Sequence, residues 1–128
     1  MRQDIVADMF CIIKNAENKG KSECITPASK LIKNVLQIMK KHGYIGDFEY
    51  IEDGRGGKFR VKLLKKINDA NVIKPRFAVK KDEFIKFEKR YLPAVGIGLL
   101  IVSTSKGLMD QNQAKKEGIG GKLIGYVY

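Results

Sequence analysis

Ser103-Thr104-Ser105-Lys106-Gly107 puts three hydroxyls and an amine within one short segment, directly after the apolar run Gly98-Leu99-Leu100-Ile101-Val102. Nucleophilic catalysis is the first chemistry such residues suggest, but a serine nucleophile needs a base within hydrogen-bond reach. The only histidine, His42, belongs to the other half of the chain, and Lys106 shares the turn with the hydroxyls, where adjacent side chains seldom face each other. No catalytic residue is expected. Gly118-Ile119-Gly120-Gly121-Lys122 raises a second possibility, a phosphate-cradling loop. A P-loop requires glycine where Lys116 stands and Ser or Thr where Leu123 stands, and it opens a helix, whereas this patch leads into a strand. The cysteines, Cys11 and Cys24, have no CxxC spacing and no nearby histidine, so neither a metal site nor a disulfide is expected. Both should be reduced, with Cys11 in the core. No cofactor and no small-molecule substrate is implied.

RNA fits the same residues better. Hydroxyls and backbone amides hydrogen-bond to 2′-hydroxyls and base edges in the shallow minor groove, and glycine lets backbone approach closely. The other reading is an ordinary turn whose hydroxyls bond their own backbone; spacing leaves both open. Net charge +11 points the same way, and it is concentrated. Residues 55–90 hold thirteen Lys/Arg against four Asp/Glu, while residues 1–54 balance eight against eight and residues 91–128 hold four against two. The middle segment should therefore supply phosphate attraction, which falls with salt and carries little sequence information. Within it, Arg55 and Lys58 are either phosphate contacts or parts of a plain hairpin turn, and Lys80-Lys81 and Lys89-Arg90 are phosphate contacts or solvated charges. Phe84, Phe87 and Tyr91 read as core rather than as a base-stacking platform.

The elements that must carry these residues follow from periodicity. Ile5, Val6, Met9, Ile12, Ile13 and Ala16 recur at helical spacing between a capping Asp4 and Gly20. An extended piece at 23–26 leads to Pro27 at the start of a second helix, with Leu31, Ile32, Val35, Leu36 and Met39 as its stripe and Gly43 as its stop. Residues 44–53 and the alternating Phe59-Arg60-Val61-Lys62-Leu63 predict a hairpin around Gly54–Lys58, with Arg60 and Lys62 adding positive charge to the open face of the sheet. An extended stretch at 72–79, a helix over 82–92 ended by Pro93, a buried strand at 96–102, a helix from Asp110 to Glu117 with the capping-box pair Asp110 and Gln113, and a strand at 123–128 complete the chain. The expected class is α+β, in two small subdomains. Residues 1–68 form an N-terminal half with helices packed on a short sheet, and residues 69–128 a mostly β half with a short helix. At 128 residues, 44% of them hydrophobic, the chain can bury a core without staples. No stretch approaches the roughly 18 apolar residues of a membrane span, and the start reads as an amphipathic helix rather than a signal peptide, so no membrane partner and a cytoplasmic location are expected.

These segments together resemble the small-subunit ribosomal protein eight family. The likeness runs from Asp4-Ile5-Val6-Ala7-Asp8-Met9 and Lys14-Asn15-Ala16, through Thr26-Pro27-Ala28-Ser29-Lys30 and Gly43-Tyr44-Ile45, to the hydroxyl segment and Gly118-Ile119-Gly120-Gly121. Asp53-Gly54-Arg55-Gly56-Gly57-Lys58-Phe59 and Ile73-Lys74-Pro75-Arg76-Phe77 resemble archaeal and eukaryotic members more than bacterial ones. The resemblance implies a structural constituent of the small ribosomal subunit that binds the central domain of its 16S rRNA at an irregular helix, helps assemble the platform, and adjoins other ribosomal proteins. It implies no enzyme. Ser103, Thr104 and Ser105 would contact sugars and bases, Gly120 and Gly121 would let the backbone approach the irregular helix, and Lys30 with neighbouring basic residues of the N-terminal half would touch phosphates; Lys106, Gly107, Lys122, Arg55 and Lys58 complete the expected RNA-binding set. Cys11 and Lys14 depart from commoner Thr and Arg. Lys122 stands where bacterial members carry Glu, and a cation can only donate where a carboxylate accepts. Alternatives are a translational repressor binding a messenger that mimics the site, a hydroxyl-dependent RNA-processing enzyme and an architectural DNA-binding protein.

Overall fold

The computed structural model describes residues 5–52, 54, 56–73, 76–94 and 96–128. Helical periodicity in the first segment produces α1 (Ile5–Asn18), which buries Val6, Met9, Phe10, Ile13 and Ala16 and ends before Gly20 at φ 72°. Asp4, read as its cap, lies outside the described residues. Cys11 is exposed, a correction to its expected place in the core, because the apolar stripe runs through Phe10 instead. Strand β1 (Glu23–Pro27) includes the proline that spacing assigned to a helix start. The helix α2 (Lys30–Lys41) begins three residues later, where Ser29 accepts the Ile32 amide at 3.1 Å and so satisfies a first-turn donor. Its buried stripe is Ile32, Val35, Leu36 and Met39.

Antiparallel β2 (Ile45–Ile51) and β3 (Lys58–Leu63) form the expected hairpin, and β1 joins the other edge of β3, giving the order β1-β3-β2. Alternation buries Phe59, Val61 and Leu63 and leaves Arg60 and Lys62 exposed. The open face is not the positive surface expected, however. Register sets Glu49 opposite Arg60 and Glu23 opposite Lys62, and Arg60 pairs with Glu49 at 2.8 Å and approaches Glu23 at 4.0 Å. Asp47 on the same surface is held by Lys40 at 2.9 Å, which keeps its carboxyl below the usual range. Cross-strand carboxylates neutralise the cations there.

The chain divides into two compact units, one running to Ala70 and the other Asn71–Tyr128. The stretch 72–79, expected as one extended piece, overlaps two short strands, β4 (Ala70–Val72) and β5 (Ala78–Val79); Lys74 and Pro75 lie outside the described residues. Next come α3 (Phe84–Tyr91), β6 (Leu99–Thr104), β7 (Gly107–Asp110), α4 (Gln111–Glu117) and β8 (Gly121–Val127). The second sheet has the order β4-β8-β6-β7, with β5 also pairing with β8. Its core gathers Phe84, Phe87, Leu100, Val102, Met109, Ala114 and Leu123, with Phe77, Tyr91 and Tyr126 half-buried on it. The spacing of Phe84, Phe87 and Tyr91 thus does describe a core-facing helix. The architecture is α+β, helices first and strands dominant later.

Candidate RNA interface

Where sequence spacing suggested a turn at 103–107, Ser103 and Thr104 finish β6 and Gly107 starts β7. The pair Thr104↔Gly107 closes a two-residue hairpin loop, Ser105-Lys106. Two-residue hairpin loops commonly take positive φ within the loop; here Gly107, at φ 110°, absorbs the reversal instead. β7 (Gly107–Asp110) has no signal in the sequence, because four residues are too few to show a period.

The three hydroxyls have different duties. Thr104 Oγ1 donates to the Gly107 carbonyl at 2.7 Å and accepts from the Lys106 amide at 3.1 Å, so the local-turn reading holds for this residue. Ser103 and Ser105 are exposed, and neither hydroxyl has a partner among the described residues. Ser103 is the penultimate residue of β6 and Ser105 opens the hairpin loop that follows it, so both belong to one end of the β6–β7 hairpin. Lys106 is 3.4 Å from Glu117, whose carboxyl is held below its ordinary range first by the Gln113 amide and then by Lys106. The Gln113 amide donates to Glu117 Oε2 at 2.6 Å rather than closing a capping box, and the Asp110 side chain makes no cap bond.

The glycine patch lies directly beside the hydroxyl strand. Ser103 pairs with Lys122 and Val102 with Leu123 across β6 and β8. At Gly121 a Cβ would run into the Ser103 carbonyl and lie 2.9 Å from Val102 Cγ1, and at Gly120 it would run into the Val79 carbonyl and sit 3.0 Å from Lys80 Cα. Both glycines thus admit close approach of the protein's own backbone. The β5 pairs Ala78↔Lys122 and Val79↔Gly121 bring Lys80 against the patch. Lys80 is exposed, and its ammonium has no partner among the described residues, as is true of Lys122. In the sequence Lys80 is one of several general charges, since nothing in its spacing links it to a segment 40 positions on.

A buried polar network fixes the register behind this surface. Gln111, at the start of α4, accepts the Leu100 amide at 2.8 Å and donates to Glu88 at 3.3 Å, and Glu88 also binds Lys115. α3, α4 and β6 are thereby tied together, and a buried carboxylate is matched by donors as desolvation requires. No composition signal pointed to Glu88 or Gln111.

Of the remaining candidates, Lys30 opens α2 and Lys58 starts β3 opposite Pro27. Both belong to the first unit, are exposed, and have no partner among the described residues. Arg55 lies outside the described residues. Among those described, no group of His, Cys, Asp and Glu is arranged to hold a metal, and no helix is long and apolar enough to cross a membrane.

The second unit thus presents two exposed hydroxyls without partners among the described residues at one hairpin end, Ser103 on the strand and Ser105 in the loop, with a closely packed glycine patch beside the strand and the lysines Lys80 and Lys122 next to it, which suits hydrogen bonding to sugars and bases with phosphates nearby. The family model described as Ribosomal protein S8 matches residues 4–128, nearly the whole chain. Its members are structural, RNA-binding constituents of the small ribosomal subunit in the cytoplasm, bind rRNA and neighbouring ribosomal proteins, and are not a known enzyme family. This chain belongs to the ribosomal protein S8 family and is a small-subunit ribosomal protein that binds rRNA.

Proposed function

We propose that the chain is a primary binder of the central domain of 16S rRNA, seating on an irregular helix and helping to assemble the platform. The observation carrying this reading is the pair of unpartnered hydroxyls at one hairpin end, Ser103 on the strand beside Gly121 and Lys122 and Ser105 in the loop that follows. An irregular helix widens and distorts a groove, so a hairpin end that carries hydroxyl donors can meet 2′-hydroxyls that a regular A-form helix presents differently. Lys122, Lys80 and Lys106 would hold phosphates at the rim, with Lys30, Arg55 and Lys58 doing so from the first unit. In this reading Thr104 shapes the hairpin and Gly107 permits it. Lys122 gives a donor where a bacterial glutamate would accept, which supports the archaeal-like branch suggested by the segments at 53–59 and 73–77.

The same surface would accept a messenger carrying the same irregular helix, so repression of translation is the second use to examine. Chemical footprinting of small-subunit rRNA with and without the protein tests the first reading. Protection should centre on one irregular helix of the central domain and vanish with Ser103→Ala/Ser105→Ala. Protection spread evenly over regular helices would refute it.

A further inference from the structure

The first unit holds an open cleft that the hydroxyl strand does not account for. It lies between the start of α2 and the β2–β3 hairpin, with a volume of about 640 Å³, inside the range of about 300–1,000 Å³ that accommodates small-molecule-sized groups. Three aromatic rings line it. Phe48 meets Phe59 edge-on at 5.5 Å and 90°, and Tyr50 meets the same ring at 5.9 Å and 70°. Phe59 is buried, whereas Tyr50 remains 53% exposed.

Exposed aromatic rings are usually free to turn, but this one is pinned. Its hydroxyl lies 3.2 Å from Glu52 Oε2 and 3.5 Å from the Gly56 carbonyl, and its ring covers Gly57, where any Cβ would run into it. Glu52 is in turn occupied by the Gly54 amide at 2.9 Å. Lys30 and Lys33 also line the cleft, and among the described residues neither has a partner and no carboxylate is in the lining. The open face of the same sheet differs, since Glu23, Asp47 and Glu49 there balance Arg60 and Lys62.

We infer that this cleft holds one unstacked nucleotide of an RNA strand, its base against Tyr50 and Phe48 and its phosphate beside Lys30 and Lys33. Aromatic rings bind a base through its π-face whatever its identity, and lysines lining the same cleft supply the backbone charge. A pre-pinned ring has little rotamer freedom left to lose on binding. The inference rests on the reading that the first unit touches RNA, and it adds stacking to what was otherwise a set of phosphate contacts.

The test uses the full chain and a thiouridine-substituted oligouridylate, with rRNA binding measured in parallel. Irradiation should join the probe to the peptide containing Phe48 and Tyr50. Tyr50→Ala should weaken probe binding about 5- to 100-fold, and Tyr50→Phe should restore it to within about twofold of wild type, since the π-face carries the contact. Lys33→Gln, on an exposed helix position that folding tolerates, should weaken binding and reduce the salt slope by about 0.7. Unchanged binding by Tyr50→Ala would overturn the inference, as would a loss in Tyr50→Phe equal to that in Tyr50→Ala, or crosslinking of this face to a neighbouring protein in reconstituted subunits. If the cleft variants are silent while Ser103→Ala/Ser105→Ala still loses rRNA, the cleft alone is removed and the proposed function stands.

Discussion

Replacing Thr104 by valine separates the hydroxyl that builds the hairpin from those that face outward. Valine keeps the β-branched shape and the strand preference, so the change removes only the hydroxyl. Two hydrogen bonds go with it, to the Gly107 carbonyl at 2.7 Å and from the Lys106 amide at 3.1 Å. Each is worth about 0.5–1.5 kcal/mol net, and because Thr104 is half-exposed the freed groups turn to water, so the total should be about 1–2 kcal/mol. For a chain of this length 1 kcal/mol corresponds to about 3–6 °C in Tm. Ser103→Ala and Ser105→Ala remove exposed, unpartnered hydroxyls and should stay within about 0.5 kcal/mol of wild type. Urea denaturation of the free proteins, paired with filter binding to rRNA at fixed salt, reads both quantities. The serine variants should lose about 1–3 kcal/mol of binding, roughly 5- to 150-fold, with the salt slope unchanged. A Thr104→Val protein as stable as wild type, or serine variants destabilised as much as it, would refute the division of labour.

Gly121→Ala should cost about 1–3 kcal/mol of stability with no RNA present, because its Cβ meets the Ser103 carbonyl and Val102; a wild-type unfolding curve would mean the glycine serves RNA alone. Gln111→Leu should destabilise by at least about 2 kcal/mol, since the Leu100 amide and the Glu88 carboxylate both lose a buried partner; a near-neutral result in the same denaturation would remove the network from the argument. At pH 8 an alkylating reagent should modify exposed Cys11 and spare Cys24, whose thiol is pushed up to about 11, first by burial and then by Glu17. The raised value also sets a sign. Between the ordinary 9.0 and about 11 the folded state keeps a proton that the unfolded chain has lost, so stability should decline as pH rises through that window. Rapid labelling of Cys24 at neutral pH, as read by mass spectrometry, would contradict both statements.

Much of the first unit was legible because its signals are local. The periods of α1 and α2 and the alternation along β3 each arise within one segment, and glycines at φ 72° and 79° end the helices where the sequence places Gly20 and Gly43. Errors arose where a short-range cue met a longer-range constraint. Pro27 looks like a helix-starting residue until β1 pairs with β3 through it. Asp110 and Gln113 have capping-box spacing, but Gln113 has a closer partner in Glu117. Cys11 reads as core by hydrophobicity, yet its neighbour Phe10 occupies the buried stripe.

The sequence by itself determined the class of the molecule, its helices, its basic middle segment and the residue types at the hydroxyl strand, because composition and periodicity need no partner to be read. Only the tertiary structure decided which hydroxyls are free, that Lys80 sits against Gly120, that carboxylates from β1 and β2 neutralise the open face around Arg60, and that Tyr50 rather than the α3 aromatics is presented to solvent. Each of these depends on cross-strand register. Pairing brings together residues distant in the chain, so no window of local spacing can contain it.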